Sequence, residues 1–169
     1  KNRDGFLPLK GEYKKIAVIG PLAEDKKDVL GCWAWSDQPE NVVSVLEGIC
    51  ARAPSGTKVV YAKGCDIEEG SAEGIRQAVG VVQGADLAVV VVGESQLMSG
   101  EGFCRSSLEL PGVQQRLVEA VYNTGVPVVA VLINGRPLAI SWMDEKLHAI
   151  LEAWAPGMQT GNAVAGIIF

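Results

Sequence analysis

The run Leu87–Val92 (LAVVVV) constrains the fold more than any other stretch of this chain. It is apolar throughout and rich in valine, with no polar alternation, so it reads as a strand buried on both faces. Spanning a bilayer takes about 20 apolar residues, and neither this run nor Val126–Ile133 approaches that length. A strand covered on both sides belongs to a sheet with parallel neighbours. Parallel neighbours need long crossover connections, usually helical. The rest of the chain must therefore supply helices between strands.

It does so in regular alternation. Lys15–Ile19 (KIAVI) ends at Gly20-Pro21, and Lys58–Ala62 (KVVYA) stops at Lys63-Gly64. Val128–Ile133 ends at Asn134-Gly135, and Ala149–Ala153 (AILEA) is a shorter fifth strand. Between them, Val42–Ala53, Ala72–Gln83 and a segment opened by Pro111 repeat apolar residues at helical spacing, and Asn162–Phe169 begins another helix. In Val42–Ala53, Cys50 falls on the apolar side and is expected to be a small core residue. Strand–helix alternation implies right-handed βαβ units and a mostly parallel sheet with helices on both faces. Residues 1–169 read as one α/β domain, with no internal repeat or linker.

Composition narrows the function. The 169 residues carry 15 Lys+Arg against 20 Asp+Glu, a formal net charge of −5. An acidic chain lacks the basic face that nucleic acid or an anionic membrane requires. The four cysteines (Cys32, Cys50, Cys65, Cys104) form no CxxC pair, so no metal site is expected, and His148 is the only histidine. Neither G-x-G-x-x-G nor a P-loop occurs, so no nucleotide cofactor is expected. The chain opens KNRDGFLPLK without an initiator Met and closes AVAGIIF, so both ends read as cuts from a longer polypeptide.

In open α/β sheets, ligands bind beyond the carboxyl ends of the strands. Glu94 stands directly at such an end, placed to accept backbone N–H groups or to pair with Arg105. Glu101 lies between Gly100 and Gly102 on the following loop, either an acid/base group or a solvated carboxylate. The loop after Ile19 is long for a βα connection and carries Trp33 and Trp35, suited to stacking on a sugar or to plugging the end of the core. Asn134-Gly135-Arg136-Pro137 reads as a turn that bends the chain so that Leu138–Trp142 packs, and Trp154 reads as core or interface.

These segments in this order (KIAVIGPLA, the tryptophan loop, VVYAKG, ADLAVVVVGES, SGEG followed by R-SSLELPG, PVVAVLINGRPLAI, AILEAWAPG and GNAVAGIIF) resemble the second domain of glycoside hydrolase family three, along nearly the whole chain. The resemblance implies a six-stranded α/β sandwich following an N-terminal (β/α)8 barrel, with the last part of the sandwich lying beyond Phe169. It implies a retaining β-glucosidase or β-xylosidase activity, no cofactor, and a β-linked glucoside or oligosaccharide as substrate. Glu101 would be the general acid/base facing an Asp nucleophile on the barrel. Trp33 or Trp35 would stack on the sugar beyond the cleaved bond, with Glu94 and Arg105 in supporting parts. Many relatives are periplasmic or secreted, which implies the same location here. The chain alone would be inactive. The competing reading is a non-catalytic carbohydrate-binding or interdomain scaffold module.

Overall fold

A computed structural model describes residues 1–35 and 38–169. Ten elements alternate along it: β1 (Lys15–Ile19), α1 (Val45–Arg52), β2 (Lys58–Ala62), α2 (Ala72–Val82), β3 (Leu87–Gly93), α3 (Gln114–Tyr122), β4 (Val128–Ile133), α4 (Ser141–Lys146), β5 (Ala149–Trp154) and α5 (Thr160–Ile168). The strands form one parallel sheet in the order β2-β1-β3-β4-β5. This is the doubly wound, flavodoxin-like order, in which the chain reverses its direction of travel across the sheet between β1 and β3. Five strands are present among the described residues, not the six that the resemblance implied. Five is also the number of apolar β-branched runs in the sequence.

The alternation hidden inside the continuous apolar runs divides the core in two. Ile16, Val18, Val89, Val91, Val129 and Val131 point to the face covered by α1 and α5, where Val45, Ile49, Val164 and Ile168 meet them. Ala17, Ile19, Ala88, Val90, Val92, Ala130 and Leu132 point to the opposite face, against Ile75, Ala78, Leu117, Val118 and Val121 of α2 and α3. Every residue of β3 and β4 is buried. That is the consequence of carrying helices on both sides of a central strand.

Helix boundaries follow local chemistry. Ser44 caps α1: its hydroxyl accepts from the Glu47 N–H (3.2 Å), while the Glu47 carboxylate accepts from the Ser44 N–H (2.8 Å). This capping box starts α1 at Val45, three residues later than periodicity alone placed it. Ser71 caps α2 through the Gly74 N–H (3.0 Å). Gly112 and Val113 form a turn closed on the Pro111 carbonyl, and α3 begins only at Gln114. The helix α4 was not anticipated, because six residues give too little periodicity to read. Cys50 is exposed, which corrects its expected place in the core. Only the narrow stripe of Val45, Gly48 and Ile49 is buried on α1, and Cys50 is turned about 100° past Ile49.

Candidate functional site at the carboxyl edge of the sheet

The exits of β1, β3, β4 and β5 converge at one edge of the sheet. They enclose a cavity of about 460 Å³, whose lining includes Cys32, Trp33, Glu94, Ser99, Asn134 and Trp154. Its position follows from topology, since neighbouring parallel strands present all their carboxyl ends on one side.

The strand that leads into the site is held by a buried polar side chain. Gln114 is fully buried at the start of α3. Its Oε1 accepts from the Gly93 N–H (2.8 Å), and its Nε2 donates to the carbonyls of Gly93 and Ile67 (2.8 Å each). Gly93 has φ +148°, and a Cβ there would overlap the Ile133 carbonyl, so only glycine lets β3 lie this close to β4. The next residue keeps the ladder going, with the Glu94 N–H donating to Ile133 (2.8 Å).

Glu94 is 1% exposed. Its Oε1 accepts from Arg105 Nη1 at 2.6 Å, and Arg136 Nε lies 3.3 Å from the same oxygen. The pairing with Arg105 that spacing offered is therefore present, and Arg105 also donates to the Glu109 carbonyl (2.9 Å). Arg136, read from sequence only as part of a turn, is a second cation on the same carboxylate. Glu94 Oε2 and Asn134 Oδ1 are buried without a hydrogen-bond partner among the described residues. The Asn134 amide donates to the Arg136 carbonyl (2.7 Å), which shapes the turn after β4.

The loop between Glu94 and Arg105 stands on this base. The Gln96 N–H donates to Asp28 Oδ1 (2.8 Å). Ser99 is buried against Gly135, where a Cβ would overlap its hydroxyl, and Gly100 packs on Cys32. Glu101 follows, exposed in a turn closed by the Phe103 N–H donating to the Gly100 carbonyl (3.2 Å). Glu101 is outside the cavity lining, while Gly100, the residue before it, is part of the wall.

Of the two tryptophans expected to meet a sugar, Trp33 is 73% exposed and lines the cavity. Trp35 is fully exposed and lies outside the lining. Neither plugs the core. Trp154, expected as core or interface, is instead 46% exposed and lines the cavity, because the end of β5 departs from regular strand geometry. Nearby, burial pushes the half-buried Glu152 carboxyl upward, an effect opposed by hydrogen bonds from the Trp154 N–H and the Asn134 side chain. Among the described residues, no group of three or more His, Cys, Asp or Glu side chains could hold a metal ion. No helix of the described residues is long and apolar enough to cross a membrane.

Sheet order and cavity define a doubly wound α/β domain whose ligand edge is built from the exits of β1, β3, β4 and β5. More narrowly, the chain belongs to the glycosyl hydrolase family 3 C-terminal domains, whose family model matches residues 1–169. It is 44% identical over 174 residues to a β-xylosidase of Formosa agariphila, covering 100% of this chain and 24% of that protein. It is 39% identical to a periplasmic β-glucosidase of Salmonella typhimurium, covering 100% of this chain and 25% of that protein. The crystal structure of a β-glucosidase from Listeria innocua in complex with glucose superposes with a TM-score of 0.88 at 33% identity, over 98% of this chain and 22% of that one. The chain thus spans about a quarter of the length of the relatives it matches.

Proposed function

We propose that this domain supplies the general acid/base, Glu101, to a retaining, exo-acting β-glycosidase of β-glucosidase or β-xylosidase type, whose remaining site residues lie on an N-terminal (β/α)8 barrel. The observation that carries this reading is the placement of Glu101: an exposed carboxylate in the turn that follows Gly100, itself in the wall of a cavity also lined by Trp33, on a loop pinned at Ser99 and Arg105. The short span of the chain relative to its relatives leaves room for the barrel. The match to a periplasmic β-glucosidase supports an exported enzyme.

Retaining hydrolysis needs two carboxyl groups about 5–5.5 Å apart. Glu101 would protonate the glycosidic oxygen while the barrel carboxylate attacks the anomeric carbon. It would then take a proton from the water that releases the sugar. An acid of this kind must hold its proton near neutral pH, which takes burial or a neighbouring anion. Glu101 is exposed here, so both conditions would come from the barrel closing over it. The domain alone is accordingly expected not to hydrolyse aryl β-glucosides.

In the full-length polypeptide, Glu101→Ala should slow disaccharide hydrolysis by about 10²–10⁴-fold. Aryl glycosides with good leaving groups should suffer less and be rescued by azide. Unchanged disaccharide hydrolysis by Glu101→Ala would refute the assignment. The exposure of Trp33 favours a second reading, a carbohydrate-binding or scaffold module without a catalytic part. In that case cellobiose should quench tryptophan fluorescence while Glu101→Gln leaves kcat intact.

A further inference from the structure

The cavity has a second exposed aromatic wall, and a backbone irregularity puts it there. The β4–β5 register pairs Leu132 with Glu152 and then Ile133 with Trp154, leaving Ala153 over as a bulge. Bulges are uncommon in parallel pairs, and beside active sites they re-aim a side chain. Trp154 takes φ +58°, a left-handed conformation that bulky residues adopt only under strain. Two hydrogen bonds fix it there. Its N–H donates to Glu152 Oε1 (3.3 Å), and its carbonyl accepts from the Asn134 N–H (3.2 Å).

Packing within the domain does not explain this arrangement. The indole is 46% exposed and belongs to neither hydrophobic core. A strained residue persists where its surroundings over-determine it, and such residues cluster at ligand sites. The β1 loop closes on the same place: a Cβ on Gly31 would stand 2.8 Å from the Ala155 methyl. Trp33 and Trp154 thus rise from two touching loops into the lining of one cavity, with Ser99 and Asn134 among the polar groups between them. Arg105 and Arg136 are drawn to Glu94 and neither lines the cavity, whose charged lining residues are Asp28 and Glu94, so no cation there would attract an anion. Aromatic faces with hydrogen-bonding side chains and no cation in the lining suit a neutral polyhydroxylated ring.

We propose that Trp154 is a specificity-determining residue, which with Trp33 grips the ring of the sugar on the leaving-group side of the cleaved bond. This rests on the reading of Glu101 as the acid/base. The test uses the full-length polypeptide and two β-glycosides with the same terminal sugar: a disaccharide, and the methyl glycoside, whose leaving group is too small to reach Trp154. Trp154→Gly and Trp154→Ala should each lower kcat/KM for the disaccharide at least tenfold more than for the methyl glycoside, mainly through KM. Trp154→Phe should recover part of the difference. Because glycine adopts φ +58° freely, Trp154→Gly should melt no lower than the parent. Equal losses on both substrates, or a fall in Tm that accompanies the loss, would make Trp154 a packing residue and overturn the proposal. Glu101→Ala, assayed alongside, separates the two ideas. If it leaves disaccharide hydrolysis unchanged, the acid/base reading fails, whatever Trp154 does.

Discussion

Glu94 and Glu101 leave the same strand within one loop and have opposite environments. Glu94 has no exposed side-chain surface and faces two arginines, one further along its own loop and one in the turn after β4. Glu101 is exposed and makes no ion pair among the described residues. A carboxylate removed from water must be matched by charge and hydrogen bonds, so Glu94 is committed to holding the exits of β3 and β4 together. A carboxylate left in water stays open to a partner. One glutamate makes the loop's base rigid, and the other is presented at its tip.

That contrast can be broken by unfolding measurements on single variants. Glu94→Ala leaves Arg105 and Arg136 without their counter-charge, and breaking a buried pair costs about 3–5 kcal/mol. Glu101→Ala should stay within about 0.5 kcal/mol of the parent, as exposed substitutions usually do. Urea unfolding followed by tryptophan fluorescence reads both, and comparable losses would erase the distinction.

A smaller effect tests whether the turn after β4 supports the tip. Gly135→Ala would drive a methyl into Ser99, with an overpacking cost of about 1–3 kcal/mol. Ser99→Gly removes the atoms in the way, so the double variant should recover much of that loss. Strict additivity of the two changes would show that the turn and the loop are not in contact.

Glu47 lies between the extremes, half-exposed like a surface residue yet paired with Lys26 at 2.6 Å. The Lys26 ammonium first, and then the Ser44 N–H, hold its carboxyl below the ordinary value of 4.5. A depressed folded-state pKa contributes stability above the unfolded value, and that stability is lost as the pH falls through the folded one. Glu47→Gln should therefore cost a few tenths of a kcal/mol at neutral pH, on the order of a screened surface pair. The gap should close as the pH drops below about 4.5. A gap in Tm that does not vary with pH would mean that the charge contributes nothing.

Much of the framework was legible in the chain. Each strand was anticipated to within a residue, because β-branched runs closed by Gly, Pro or Asn-Gly carry their own boundaries. The pairing of Glu94 with Arg105 was also legible, because a loop leaving a buried strand end keeps nearby charges within reach. Other features had no local signal. Gln114 looked like an ordinary polar position near a helix start, yet it is fully buried and bonded to Gly93 and Ile67. Arg136 lies 42 positions beyond Glu94 and meets it only because β4 runs beside β3. Trp154 reads as core or interface, since neither a bulge nor a left-handed φ is written in AILEAWAPG.

The sequence by itself determined all five strands and four of the five helices, that the sheet is parallel and covered on both faces, and that Glu101 sits on a glycine-flanked loop at its carboxyl edge. Periodicity and turn chemistry are short-range properties, and a reader can take them from neighbours a few residues apart. Only the tertiary structure decided which charges share Glu94, that Gln114 holds Gly93, and which tryptophans face the cavity. Those outcomes depend on strand order and register, where residues far apart in the chain compete for the same buried donors, acceptors and space.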